Sequence, residues 1–98
     1  MWMRVTYLKM DPKQISEARA DAKEIASIVS KEKGCRFIYP LIEAADGSSD
    51  AISITAWETK ADAEAYARNL YPKLVSSFAK RAAAPPVLKE YEMHFEVP

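Results

Sequence analysis

Residues 35–57 read CRFIYPLIEAADGSSDAISITAW, two strand-forming segments joined by a polar one. Cys35 to Glu43 is an almost unbroken apolar run. Asp46-Gly47-Ser48-Ser49 then supplies turn chemistry, and Ala51 to Trp57 resumes in strand residues, so the stretch predicts a β-hairpin. In its first strand Phe37, Tyr39 and Leu41 point one way and Ile38, Pro40 and Ile42 the other, which makes both faces apolar. Pro40 has no backbone donor and suits an edge strand better than a central one. In the second strand Ile52, Ile54 and Ala56 form one face, assigned here to packing against helices, and Ser53, Thr55 and Trp57 form the opposite one.

The segments flanking the hairpin complete the pattern. Residues 2–9, WMRVTYLK, favour β-structure and stop at Asp11-Pro12, where Asp11 caps a helix, Pro12 suits its first position and Gln14 completes a capping box. From Pro12 to about Lys31, Ile15, Ala18, Ala22, Ile25, Ala26 and Val29 recur at helical steps with charges on the other face, and Gly34 supplies a left-handed cap. Beyond the hairpin, Thr59-Lys60-Ala61-Asp62 starts a helix with a stripe of Ala63, Tyr66, Ala67 and Leu70. Pro72 interrupts it near Tyr71, and a second stripe runs through Leu74, Val75, Phe78, Ala79 and Ala82. Pro85-Pro86 ends that helix, and Val87 to Val97 alternates as a last strand. The order β-α-β-β-α-β predicts one α+β domain over residues 1–98. It is a ferredoxin-like sandwich with a four-stranded antiparallel sheet and both helices on one face. The other face needs a cover, and a second copy of the chain is the economical one, giving a homodimer.

Fourteen Lys and Arg balance fourteen Asp and Glu, so no net field draws in phosphate backbones or anionic lipid, and nucleic acid and membrane are not expected partners. Cys35 is the one cysteine, so no intrachain disulfide forms, and no ligand spacing for a metal is present. No stretch approaches the roughly 20 apolar residues of a membrane span, and MWMRVTYLKMDP lacks the form of a signal peptide. A cytoplasmic protein is expected.

The run from Lys33-Gly34-Cys35 through the hairpin to Trp57-Glu58, followed by a helix with Tyr66 and a continuation bearing Phe78, resembles the antibiotic-biosynthesis-monooxygenase-like domains, small dimeric α+β barrels. The resemblance spans nearly the whole chain. It implies a homodimer whose sheets pack face to face and a pocket in each subunit between sheet and helices. It also implies cofactor-independent oxidation, with oxygen and without metal or flavin, of an aromatic or polyketide-like small molecule. The haem-degrading branch fits worse, because residues 70–83, LYPKLVSSFAKRAA, contain no histidine to ligate haem.

From the resemblance, Trp57, Tyr66 and Asn69 are the candidate catalytic residues and Arg36 a candidate substrate contact; Tyr39 and Phe37 of the hairpin and His94, the one imidazole, are further candidate substrate contacts. Each has a plainer reading beside it. Trp57 removes a large area from water as a core or interface anchor whatever the protein does. Tyr66 fills a place in the helical stripe, Asn69 precedes the Pro72 break, and His94 stands among glutamates on the polar side of the last strand. Lys80-Arg81 reads as a solvated helix end. Two further functions stay open: a non-catalytic dimeric module that binds a small ligand, and an isomerase or decarboxylase of the same architecture using His94 or a carboxylate as base.

Overall fold

The computed structural model describes residues 1–44 and 47–94. Strand β1 (Trp2–Lys9) leads through a short 3-10 turn at Pro12–Gln14 into helix α1 (Ile15–Val29). Strands β2 (Cys35–Ile42) and β3 (Asp50–Trp57) form the hairpin, and helices α2 (Lys60–Asn69) and α3 (Tyr71–Phe78) and strand β4 (Val87–Glu92) follow. The sheet is antiparallel in the order β2-β3-β1-β4, which puts Pro40 on an edge strand. The fold is thus the α+β, ferredoxin-like arrangement the element order predicts. Asp46 of the expected turn and the end of the expected last strand lie outside the described residues.

Local chemistry explains the junctions. Asp11 accepts a hydrogen bond from the Lys13 amide at 3.0 Å. The reciprocal half of the expected capping box does not form, because the Gln14 side chain accepts instead from Arg81 at 3.0 Å. Arg81 also donates to Asp21, so it is no solvated helix end but a half-buried tie between the turn after α3 and α1. Gly34 has φ +82°, and a Cβ there would collide with the Asp62 side chain, so only glycine lets the β2 entry pass beside α2. Thr59 caps α2 by accepting from the Asp62 amide at 3.1 Å. The break between α2 and α3 falls at Leu70, just ahead of Pro72, which takes an early helical position where its missing donor costs nothing.

The face assignment of β3 is reversed from the sequence expectation. Trp57 and Thr55 are buried beneath the helices, with Val29, Ala63, Tyr66 and Leu74 packed around the indole, whereas Ile52, Ile54 and Ala56 turn to the face without helices. The register makes that face a regular array of three rows: Phe37, Ala56, Met3 and Tyr91; Tyr39, Ile54, Val5 and Lys89; Leu41, Ile52, Tyr7 and Val87. Lys89 is its one charged member, and Tyr39 and Val87 are more than half exposed, at 54% and 53%. Apolar alternation alone sends the isoleucines inward, but here the more apolar face is the one the chain leaves open. The covered face carries the polar residues Arg4, Thr6 and Thr55, all buried.

A candidate small-molecule cavity beneath helix α1

Trp57 is fully buried, and its Nε1–H donates to Thr55 Oγ1 at 2.9 Å, so the indole is satisfied without a ligand. Tyr66 stacks on it with ring centroids 4.6 Å apart, and Tyr71 meets Tyr66 edge-on at 5.8 Å. Tyr66 and Tyr71 of this cluster line one side of a cavity of about 420 Å³, and Trp57 stands behind them. Sheet residues Arg4, Thr6, Leu8, Ile38 and Ser53 form the floor, Ala18, Ala22, Ile25 and Ala26 of α1 the roof, and Tyr66, Tyr71, Leu74 and Phe78 the end wall. The void has a sequence cause. Ala18, Ala22 and Ala26 fall at successive i,i+4 places on α1, so the helix spans the sheet with side chains too short to fill the gap. The volume lies in the range of ordinary ligand pockets, roughly 300–1,000 Å³.

The one strongly polar element on the floor is Arg4. It is only 4% exposed, and its Nη1 donates to Glu90 Oε1 across the β1–β4 ladder at 2.6 Å. Its Cζ lies 4.7 Å from the Tyr71 ring centroid and 5.6 Å from that of Tyr66, so the cation rests against both rings. Arg4 Nε is buried with no acceptor among the described residues. An unpaired buried donor costs about 1–3 kcal/mol, which a chain seldom tolerates for packing alone.

Tyr66 carries the clearest electrostatic perturbation. Burial pushes its phenol well above the ordinary tyrosine range, only partly opposed by the nearby Arg4 charge, so Tyr66 stays protonated and acts as a hydrogen-bond donor rather than a base. The carboxylate on the cavity wall, Asp21, is engaged by Arg81. Among the described residues no group of three His, Cys, Asp or Glu side chains is placed to hold a metal ion. Cys35 is half-buried, donates weakly to the Phe37 carbonyl, and has its thiol pKa raised by burial and by Glu32, which makes it a poor nucleophile.

Of the residues singled out in the sequence, Tyr66 lines the cavity, while Trp57 stacks behind it, fully buried and not part of the wall. Asn69 does not join them. It shares a helix with Tyr66 but is exposed at the C-terminal end of α2. Phe37 and Tyr39 stack on each other at 4.5 Å on the open sheet face, on the far side of the sheet from the cavity. Arg36 is the extra residue of a β-bulge, opposite neither Trp57 nor Ala56, and it turns out to pair with exposed Glu58 at 2.8 Å. His94 is exposed past the end of β4 and does not line the cavity.

Arg4 is the residue that periodicity missed. A signal was present: in this topology the first strand is central, so a polar residue in its middle has to be buried beneath α-helices or against a partner.

No protein-family model and no curated protein matches the sequence. Solved structures match its fold. A Nitrosomonas europaea protein whose name places it with the antibiotic biosynthesis monooxygenases superposes with a TM-score of 0.83 at 18% identity, over 97% of this chain and 100% of its own. A Deinococcus radiodurans protein named in the same way gives 0.86 at 11% identity over 100% and 97%. A Mycobacterium tuberculosis protein gives 0.81 at 12% over 99% and 98%. The chain has the fold of the antibiotic-biosynthesis-monooxygenase-like domains over its whole length.

Proposed function

We propose that this chain is a cytoplasmic homodimer and a cofactor-independent monooxygenase that oxidises an aromatic or polyketide-like small molecule with O2 in the cavity beneath α1. The observation that carries this reading is the cavity itself, an apolar chamber with the Tyr66 and Tyr71 rings and the Tyr66 phenol donor in its wall. The names of the structural neighbours support the same chemistry. Apolar walls admit both oxygen and a fused-ring substrate, and Tyr66 is held in the state that donates to a substrate oxygen where negative charge develops. In the overall change a ring CH2 of the keto tautomer, or the equivalent enol, becomes C=O. One oxygen atom becomes the carbonyl oxygen on that ring carbon, and the other leaves as water with the two hydrogens removed. The substrate supplies its own acidity, since the cavity carboxylate is engaged by Arg81.

The homodimer reading rests on the open sheet face, whose apolar rows match the inner face of a stacked pair of sheets. Sedimentation at micromolar concentration is expected to give twice the chain mass, and a stable monomer would refute it.

A second reading, a non-catalytic dimeric module for a small ligand, draws on the protonated Tyr66 and the lack of an available base on the cavity wall among the described residues. Oxygen uptake with a panel of hydroxylated polycyclic compounds separates the two. Oxidation predicts one O2 consumed per quinone formed, with kcat at least roughly tenfold lower in Tyr66→Phe, about 1.4 kcal/mol of transition-state stabilisation. Saturable binding without oxygen uptake selects the binding module.

A further inference from the structure

Arg4 defines more of the ligand than the cavity's shape does. A guanidinium presents its donors along edges, and the edge formed by Nε and one terminal nitrogen offers two parallel N–H groups matched to the two oxygens of a carboxylate. Here Glu90 takes Nη1 and fixes the plane of the group, while Nε has no acceptor and Nη2 donates to no described residue. The pair left over is therefore a bidentate edge, on a side chain that lines the cavity and is 4% exposed. Two aromatic rings hold it in place from the side.

The surrounding charge agrees. Arg4, Arg19, Lys23 and Arg81 line the cavity against the single carboxylate Asp21, although the whole chain is neutral. Asp21 and Arg81 cancel each other, and Glu90 compensates Arg4 from a side that is 39% open to solvent, where its field is screened. Exposed Arg19 and Lys23 have no ionic partner among the described residues, so an anion approaching the cavity meets a positive entrance. Phosphate would need several donors in a wet site, whereas these walls are apolar.

We infer that the cavity selects an aromatic carboxylic acid, its ring body against Tyr71, Leu74 and Phe78 and its carboxylate on the Nε–Nη2 edge of Arg4. This rests on the cavity being a ligand site but not on any oxidation there. Under the proposed reaction the carboxylate is the anchor, and the reacting ring carbon and its oxygen lie farther along the molecule.

The test is calorimetric titration of the whole protein with 2-naphthoate and with its methyl ester, which keeps the ring and abolishes the charge. Naphthoate is expected to bind at least tenfold more tightly. That preference should vanish in Arg4→Met/Glu90→Gln, which removes both ends of the ion pair, and survive in Lys31→Gln/Lys33→Gln, which removes two exposed cations that do not line the cavity. In the unaltered protein the Arg4 Nε–H resonance should move on adding naphthoate and stay still on adding ester, so the assignment is testable even if the Arg4 variant does not fold. An ester bound as well as the acid overturns the inference while leaving the cavity a ligand site. Loss of the preference in the Lys31/Lys33 variant, or an unmoved Arg4 resonance, overturns it as well. Binding of neither compound at millimolar concentration overturns both it and the cavity reading.

Discussion

Ile54 and Thr55 are neighbours on β3 and look in opposite directions, and the two faces they belong to are built on different principles. On the Ile54 side the rows are apolar and flat, contain one lysine and enclose nothing. On the Thr55 side the sheet carries a buried arginine and two buried threonines, and the helices above it leave a chamber. A face meant only to exclude water needs no hydrogen-bonding groups, because its partner supplies none. A face meant to hold a molecule keeps polar groups at fixed places and tolerates incomplete packing. On the proposed reading, the open face takes a second chain and the covered one a ligand.

The largest expected effect comes from placing a charge on the open face. Ile54→Lys should raise the dimer dissociation constant by more than roughly 10³, about 4 kcal/mol, because each copy would bury an unpaired ammonium in the stack. Sedimentation should show monomers whose circular dichroism is unchanged. If Ile54→Lys stays dimeric, the two faces have been assigned to the wrong tasks.

On the covered side, Trp57→Phe should cost on the order of 1–3 kcal/mol in unfolding free energy, since the indole is fully buried and the smaller ring leaves a void. Any oxidation should fall only as far as folded protein is lost. Denaturant unfolding alongside oxygen uptake reads both, and a large activity loss at unchanged stability would move Trp57 into the reacting site. Its partner sharpens the point: Thr55→Val keeps the shape but strands Trp57 Nε1–H, so it should cost about 1–2 kcal/mol while leaving the dimer intact.

The smallest effect is one of pH. Tyr66 has a raised pKa in the folded state, so the unfolded chain releases this proton first. Its contribution is complete below the unfolded phenol's value near 10 and is lost as pH rises from there toward the folded value, at up to about 1.4 kcal/mol per pH unit. Tyr66→Phe should flatten the alkaline limb of a stability-against-pH curve without changing it at pH 7. An unaltered limb would mean that the phenol is hydrated.

Much of this architecture is legible in the chain. The hairpin, the Pro72 break and the cap at Gly34 follow from local chemistry, which needs no knowledge of neighbours. The face of β3 does not, because β2 is apolar on both sides and the isoleucines of β3 look like core residues until the helices are seen to sit over Trp57. The bulge at Arg36 is invisible for a similar reason: it depends on how two strands register and not on either strand's composition. Arg4 looks like an ordinary surface arginine until the strand order makes its strand central.

The edge strand β2 bears on how the protein behaves when its pairing partner is absent. Pro40 offers no N–H in mid-strand, and the bulge at Arg36 interrupts the ladder near its start. An incoming strand from another molecule would find no continuous row of donors to copy. A monomer released by dilution or by Ile54→Lys therefore exposes a sticky face but a blunted edge. Its precipitates should be amorphous and dissolve again on dilution, without the thioflavin-positive fibrils that a clean edge would seed.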